Sequence, residues 1–182
     1  MKRQGSPLGA GVLLLVLLGW GGWSAWGISS AAEAVLASIR WVQIPAGEFA
    51  MGSTPEEIEA AQNEARLRSI PLDQEMLEIE LPLHAVFLDA FEISQHEITN
   101  AQYRRFVEDT GHPRPRGFQG EDLWSDPKYN APDQPVVGVS WHDARAFAEW
   151  LGVQLPSEAQ WERAARGLER RKYPLGGGAA NP

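Results

Sequence analysis

The stretch VSWHDARAFAEWLGVQLPSEAQWERAARG, residues 139–167, spells out two short helices in succession. Ser140 and Asp143 fit a capping box at the start of the first helix, and Ser157 and Gln160 fit one at the start of the second. A glycine follows each run of apolar positions, as is typical of helix ends. Short helices are marginal on their own. The capping boxes and terminal glycines therefore predict that both helices are framework elements whose ends are fixed by side chains.

The spacing of apolar residues also predicts which face of each helix is buried. The predicted buried positions are Trp141, Ala144, Phe147, Ala148 and Leu151 in the first helix and Trp161, Ala164 and Ala165 in the second. Glu162 lies four residues before Arg166, a spacing at which an ion pair stabilises a helix by about 0.2–0.5 kcal/mol.

Two more helices are predicted upstream. Thr54 with Glu57, and Thr99 with Gln102, repeat the capping-box pattern. The predicted helices end at about Ser69 and at Gly111. Tyr103, Phe106 and Val107 give the second of them an apolar stripe. The fold therefore contains at least four short, capped helices.

The other segments predict strands and loops. Alternating residues on both sides of a turn predict a hairpin over Trp41–Ser53, and Leu83–Ile98 reads as a strand with a bulge. Pro135–Trp141 is predicted to be a strand that runs into a cap. The acidic stretch through Glu80 is predicted to be solvated loop, and His112–Pro135 a long structured loop of the kind that often carries function.

Composition excludes several functions. The 182 residues are 43% hydrophobic and 22% charged, which is typical of a globular chain. The net charge of −8 argues against nucleic acid as a partner, because phosphate binding needs a basic face. The chain has no cysteine, so it offers no disulfide, thiolate metal ligand or cysteine nucleophile.

Residues 1–34 are predicted to be a membrane anchor or a signal peptide. Two basic residues precede an uncharged stretch whose centre, Leu8–Ile28, is long enough to span a bilayer. Small residues near 29–34 would equally suit cleavage. Both alternatives place residues 35–182, predicted as one domain, on the periplasmic or outer side of a membrane or in secreted form.

Few side chains suggest chemistry by their spacing. His84 and His96 could bind a metal together with Asp89 or Glu97, although hydrogen-bonded structural histidines explain the same pattern. Ser140, Ser157 and Thr99 could be nucleophiles, but their positions are those of helix caps. Spacing alone therefore predicts no catalytic constellation.

The order of segments resembles the formylglycine-generating enzyme, or sulfatase-modifying factor, family. The resemblance rests on IPAGEFAMGS, LPLHAVFLDAFEISQHEITNAQYRRFVEDTG, PVVGVSWHDARAFAEWLGVQLPSEAQWERAARG and YPLG, in that order. It implies an α+β fold related to C-type lectin domains, with little regular secondary structure. Complete relatives oxidise a protein cysteine to formylglycine with copper and oxygen, and calcium often supports the fold.

Two departures from the family pattern limit what the resemblance implies. The family's cysteine pair lies in a C-terminal half that these residues do not include, so the chain is expected to be truncated, incomplete at the C-terminus and inactive alone. Asn181 matches a calcium-ligand position, although Leu175 replaces the usual tryptophan before it. The expected partner is a protein substrate or envelope protein. The alternative is a non-catalytic module that binds protein or glycan through His112–Pro135.

Overall fold

The computed structural model describes residues 15–18, 27–117 and 119–172. The chain divides into two compact units, one formed by the described parts of Met1–Ile44 with Ala90–Pro156 and one by Pro45–Asp89 with the described residues from Ser157 onward. The strands are β1 (Val16–Leu18), β2 (Trp41–Ile44), β3 (Gly47–Met51), β4 (His84–Leu88) and β5 (Phe91–Ser94). The helices are α1 (Ser30–Ser38), α2 (Pro55–Leu67), α3 (Gln74–Glu78), α4 (Asn100–Thr110), α5 (Trp141–Trp150) and α6 (Glu158–Arg166). This mixture of helices and small antiparallel sheets confirms the α+β prediction.

The first unit contains a three-stranded antiparallel sheet in the order β1-β5-β2. Trp41 pairs with Ser94, and Ile44 pairs with Phe91. Helices α1, α4 and α5 belong to the same unit. Asp109 of α4 joins the other two helices, because one carboxylate oxygen accepts hydrogen bonds from Ser29 Oγ (2.6 Å) and from Trp150 Nε1 (2.8 Å).

The core of the first unit is a cluster of aromatic rings. Tyr103 stacks on Phe147 with ring centroids 5.3 Å apart, and Phe106 meets Phe147 edge to face at 5.5 Å. Trp124 of the long loop meets Tyr103 at 6.2 Å. All four side chains are buried. Offset and edge-to-face pairs add stability beyond area burial, so this cluster fixes α4, α5 and the loop together.

The second unit contains the β3–β4 pair and helices α2, α3 and α6. Its best-defined interaction is polar. Glu162 Oε1 accepts hydrogen bonds from Gly52 N (3.0 Å) and Arg166 Nη1 (2.9 Å), and Arg166 Nη1 also donates to Gly52 O (3.0 Å). Gly52 has φ +87°, and a Cβ there would lie 2.6 Å from the carbonyl oxygen of Glu80. Only glycine fits this backbone position.

The predicted capping boxes are confirmed at all four helices. In each, the side chain of the N-cap residue accepts a hydrogen bond from the backbone N of the third helical residue. The side chain of that third residue in turn accepts from the backbone N of the N-cap residue. The N-cap residues are Thr54, Thr99, Ser140 and Ser157. Gly111 ends α4 in the left-handed conformation, as its position predicts.

The predicted strand pairing was wrong in three places. The Trp41–Ser53 segment is not a hairpin, because β2 pairs with β5 and β3 pairs with β4. Leu83–Ile98 is two strands rather than one, and each belongs to a different sheet. Pro135–Trp141 forms only a single bridge, between Pro135 and Thr99. Strand composition predicts extended backbone but does not identify the partner, which lies far away in the sequence.

Two further predictions were wrong. The acidic stretch before Glu80 contains helix α3, which begins at the cap Asp73. Trp141 and Trp161 were predicted to be buried, but their side chains are 60% and 50% exposed. In α6 the buried residues are instead Glu162 and Arg163, and the predicted core positions of that helix are only half-buried.

Most of the predicted anchor or signal peptide lies outside the described residues. Its described parts include Leu15, which is buried, and β1, which pairs with β5. No helix in the described part of the chain has the length and apolar character needed to cross a membrane. Whether residues 1–34 anchor the chain or are cleaved stays a prediction.

Candidate functional site

Ser140, Asp143 and His112, which are the residue types of a hydrolase catalytic triad, meet where α5 begins. Asp143 Oδ1 lies 2.8 Å from His112 Nε2, and Asp143 Oδ2 accepts from the backbone N (2.9 Å) and the Oγ (2.6 Å) of Ser140. A catalytic triad needs the histidine between serine and carboxylate, so that the base touches the nucleophile. Here the carboxylate lies in the middle. The arrangement can cap a helix and hold a loop, but it does not activate Ser140.

The electrostatics of this cluster support a structural role. Burial raises the pKa of the Asp143 carboxyl, but hydrogen bonds from Ser140 and His112 outweigh burial and leave the pKa below its ordinary value. The carboxylate is therefore charged at neutral pH. Burial also raises the pKa of the Tyr103 phenol, and the nearby Asp143 charge adds to this effect, so Tyr103 stays neutral.

The other candidate nucleophiles are also caps. Thr99 Oγ1 accepts from Gln102 N at 3.3 Å, and Ser157 Oγ accepts from Gln160 N at 3.2 Å. In neither case does a histidine contact the hydroxyl. The expectation that these residues serve as caps is confirmed.

The structure does not bring His84 and His96 together with Asp89 or Glu97 as a metal-binding cluster. Across residues 15–18, 27–117 and 119–172, no three His, Asp or Glu side chains converge as a metal ion would require. His84 Nδ1 instead lies 2.8 Å from the carbonyl oxygen of Pro82. Asn181, the calcium-ligand candidate, lies outside the described residues.

His96 and Glu97 do line a polar pocket in the first unit. The pocket has a volume of about 420 Å³ and lies between the end of α1, the β5–α4 connection and the long loop. Its remaining lining residues are Ser38, Ile39, Arg40, Ile98, Thr99, Gln102, Asp133 and Pro135. In its wall, Gln102 Nε2 donates to Ser38 Oγ at 3.0 Å. Charged groups of both signs face this space.

The long loop beside that pocket is anchored by one buried side chain. Asn100, 3% exposed, donates from Nδ2 to the carbonyl oxygens of Tyr129 (2.8 Å) and Ala131 (2.9 Å). This confirms that the loop is structured where these contacts hold it. The bond is easy to miss in a sequence, because an asparagine in the first turn of a helix suggests only local capping.

A second concavity of about 640 Å³ lies along α5 and the residues after it. Trp141 forms its aromatic wall, and the floor is formed by small or apolar residues that include Ala148 and Val153. The Arg145 guanidinium lies 5.7 Å from the Trp141 ring centroid and pairs with Glu149 at 2.7 Å. Sequence reasoning missed this groove because it placed Trp141 in the core.

The chain can be compared with known proteins once these features are established. Residues 30–182 match the family model described as "Sulfatase-modifying factor enzyme 1-like domain". A formylglycine-generating enzyme of Streptomyces coelicolor is 33% identical over 172 residues, covering 74% of this chain and 50% of the relative.

Two further relatives carry other names. A hercynine oxygenase of Mycolicibacterium thermoresistibile is 32% identical over 130 residues, covering 57% of this chain and 29% of the relative. A serine/threonine-protein kinase pkn1 of Chlamydia pneumoniae is 36% identical over 111 residues, covering 53% of this chain and 18% of the relative. The chain thus spans half or less of the length of these relatives.

Proposed function

Because the chain belongs to the family of sulfatase-modifying factor enzyme 1-like domains, we propose that it supplies the framework part of a domain that oxidises a protein cysteine to formylglycine. The observation that carries this proposal is the family match over residues 30–182, supported by the resemblance to a formylglycine-generating enzyme. We propose that the chain acts after export, as its N-terminal segment predicts.

The framework role follows from what the described side chains do. Four helices with capping boxes, the anchored loop and the aromatic cluster all hold backbone in place, and the grouping of Ser140, Asp143 and His112 serves as a helix cap. A catalytic site needs such support, because packing and hydrogen bonds from surrounding residues keep its side chains in the reactive geometry.

Copper chemistry does not fit the donors of this chain. A thiolate copper site needs cysteine ligands, and none of the 182 residues is cysteine. We therefore assign no oxidation step to these residues. Thiolates for the proposed reaction would come from another polypeptide, and the proposal expects this chain to leave a cysteine substrate unconverted by itself.

Mass spectrometry of a cysteine peptide tests this proposal. The chain is co-expressed with a sulfatase-derived peptide that carries one cysteine, either alone or together with the cysteine-containing C-terminal part of a formylglycine-generating enzyme relative, in medium supplied with copper. A matched peptide with serine in place of cysteine controls for unrelated modification. We expect the chain together with that part to convert the cysteine to the aldehyde, and either polypeptide alone to leave it intact.

Either opposite result changes the conclusion. Conversion by residues 1–182 alone would contradict the framework role. No conversion by the two polypeptides together would contradict the proposed framework role in the oxidation and favour the second candidate, a non-catalytic binding module in the envelope. The exposed wall of Trp141 beside a 640 Å³ groove is the observation that favours this second candidate, since exposed aromatic rings commonly serve recognition.

A further inference from the structure

The polar pocket at the end of α1 brings together charged side chains that the proposed function does not use. The ionisable residues that line it are Arg40, His96, Glu97 and Asp133. Two apolar residues of the lining, Ile39 and Ile98, are buried. The volume of about 420 Å³ lies within the range of small-molecule sites, about 300–1,000 Å³. The pocket thus has the size and the mixed lining of a site for a small polar molecule.

The charged groups of this pocket have no ionic partner. Across residues 15–18, 27–117 and 119–172, no ion pair involves Arg40, Glu97 or Asp133. On the helix surfaces, by contrast, opposite charges do pair, as Arg145 and Glu149 show at 2.7 Å. Arg40 and Asp133 are exposed and Glu97 is half-buried, so a ligand can reach all three. The pocket therefore offers one guanidinium and two carboxylates to a ligand.

The neutral polar groups of the pocket are bonded within the protein. Gln102 Nε2 donates to Ser38 Oγ at 3.0 Å, and Ser38 Oγ donates to the carbonyl oxygen of Val35 at 2.7 Å. Gln102 Oε1 accepts from Thr99 N at 2.9 Å. The amide of Gln102 and the hydroxyl of Ser38 are thus already engaged. Recognition of a ligand therefore falls to the charged side chains.

Backbone hydrogen bonds hold the segments that carry these charges. Gln95 N donates to Arg40 O at 2.8 Å, which joins Arg40 to the segment that carries Glu97. The carbonyl oxygens of the residues before and after Asp133 each accept a bond of 2.9 Å from a backbone N in the first turn of α4. Because both segments are tied to the rest of the first unit, the backbone cost of ordering the site on binding is small.

We propose that this pocket binds a free amino acid with a cationic side chain. Arg40 pairs with the α-carboxylate of the ligand, and Glu97 and Asp133 pair with its two cationic groups. With His96 counted as neutral, one guanidinium and two carboxylates complement a ligand with one negative and two positive charges. A neutral amino acid leaves one carboxylate unpaired, and an acidic one brings a second negative charge against carboxylates. The proposal goes beyond the proposed function, which uses none of these residues.

Isothermal titration calorimetry of the full chain with L-arginine tests the proposal. Three comparison ligands each lack one charge: agmatine the carboxylate, N-acetyl-L-arginine the α-ammonium and L-citrulline the side-chain charge. L-Arginine should bind at least about tenfold more tightly than each of them, because each leaves one charged group of the pocket unpaired. No binding of L-arginine, or equal binding of any comparison ligand, would overturn the proposal.

A variant of Arg40 locates the carboxylate partner. Arg40→Gln should weaken L-arginine binding at least about tenfold and leave agmatine binding nearly unchanged, because agmatine has no carboxylate to lose its partner. Retained agmatine binding also shows that the variant is folded. Arg105→Gln is the matched control, since Arg105 is exposed on α4 and does not line the pocket. Equal weakening of both ligands, or no more weakening than in the control, would contradict the assignment.

Variants of the two carboxylates test the cationic contacts. Glu97→Gln and Asp133→Asn should each weaken L-arginine binding at least about tenfold. Glu108→Gln, which removes an exposed carboxylate of α4 outside the pocket, should not. Only one of the two pocket variants should weaken L-citrulline as much, because citrulline lacks the charge that the other carboxylate pairs with. Equal losses of both ligands in both variants would overturn the proposal, and neither result depends on cysteine oxidation.

Discussion

Helices α5 and α6 begin alike and bury opposite kinds of side chain. Each starts at a serine whose Oγ accepts from the third helical residue at 3.2 Å, and each serine N donates to that residue's side chain at 2.9 Å. Yet α5 buries Phe147 and its alanines, whereas α6 buries Glu162 and Arg163. The start of a helix is thus set locally, and its buried face is set by what lies opposite.

The neighbours explain this difference. Helix α5 faces the rings of Tyr103 and Phe106, which offer only apolar contact. Helix α6 faces the backbone N and O of Gly52, which must be hydrogen-bonded when buried. Glu162 and Arg166 satisfy those two groups, so the polar face of α6 turns inward and Trp161 remains half exposed.

The largest expected loss of stability comes from removing the buried apolar contact of α5. Phe147→Ala removes a fully buried ring from the aromatic cluster, so the free energy of unfolding should fall by about 3–5 kcal/mol. Trp141→Ala on the same helix should cost no more than about 1 kcal/mol, because it removes an exposed ring and one cation–π contact. Urea unfolding followed by circular dichroism measures both, and equal costs would contradict the described burial.

The next largest loss of stability is expected from removing the buried carboxylate of α6. Glu162→Ala leaves Gly52 N and the Arg166 guanidinium without their carboxylate, and breaking such a buried pair should cost about 3 kcal/mol. Glu158→Ala is the control, since Glu158 is exposed in the first turn of α6, and should cost about 0.5 kcal/mol. If Trp161→Ala cost more than Glu162→Ala in the same urea titrations, the apolar face would be the one that anchors α6.

The same contrast shows what the sequence could predict. All four capping boxes and the stop at Gly111 follow from short-range patterns, because donor and acceptor lie three or four residues apart. The Trp41–Ser53 hairpin was wrong because β2 finds its partner some fifty residues further along the chain, and no local pattern encodes that pairing.

The candidate site follows the same division. The capping roles of Ser140, Ser157 and Thr99 were predicted, because they depend on near neighbours. The contact of Asp143 with His112 spans 31 residues, and the Asn100 anchor spans about the same distance. The burial of Glu162 was missed because helical periodicity considers only the apolar residues of the helix itself. It gives no sign that the backbone N of Gly52 needs a carboxylate as its hydrogen-bond acceptor.

The Asp143 carboxylate allows the α5 cap to be tested through pH. Its pKa is lower in the folded chain than in a free side chain, so its contribution to stability is present above the unfolded pKa of about 4 and is lost as pH falls through the folded value. Asp143→Asn should cost about 2 kcal/mol near pH 6, and that cost should shrink below about pH 4. Urea midpoints at several pH values measure this.

A matched variant of α6 controls for general acid effects. Gln160 occupies the corresponding cap position and does not titrate, so the cost of Gln160→Ala should be nearly constant over the same pH range. If Asp143→Asn cost the same at pH 3 as at pH 6, its hydrogen bonds to Ser140 and His112 would not depend on charge, and the electrostatic account of this cluster would fail.

The smallest expected effect concerns what the two helices share. Ser140→Ala and Ser157→Ala each remove the cap hydrogen bond to the hydroxyl, which should cost about 1 kcal/mol. Ser140→Ala also removes the hydrogen bond that Ser140 Oγ donates to Asp143 Oδ2. Because the cap distances are the same in both helices, the cost at Ser140 should exceed that at Ser157 only by the net contribution of this additional bond, about 0.5–1.5 kcal/mol, although the buried faces differ. Ser→Thr at each position keeps the hydroxyl and should recover most of the loss. A much larger cost at Ser140, without recovery by threonine, would mean that its contact with Asp143 does more than begin a helix.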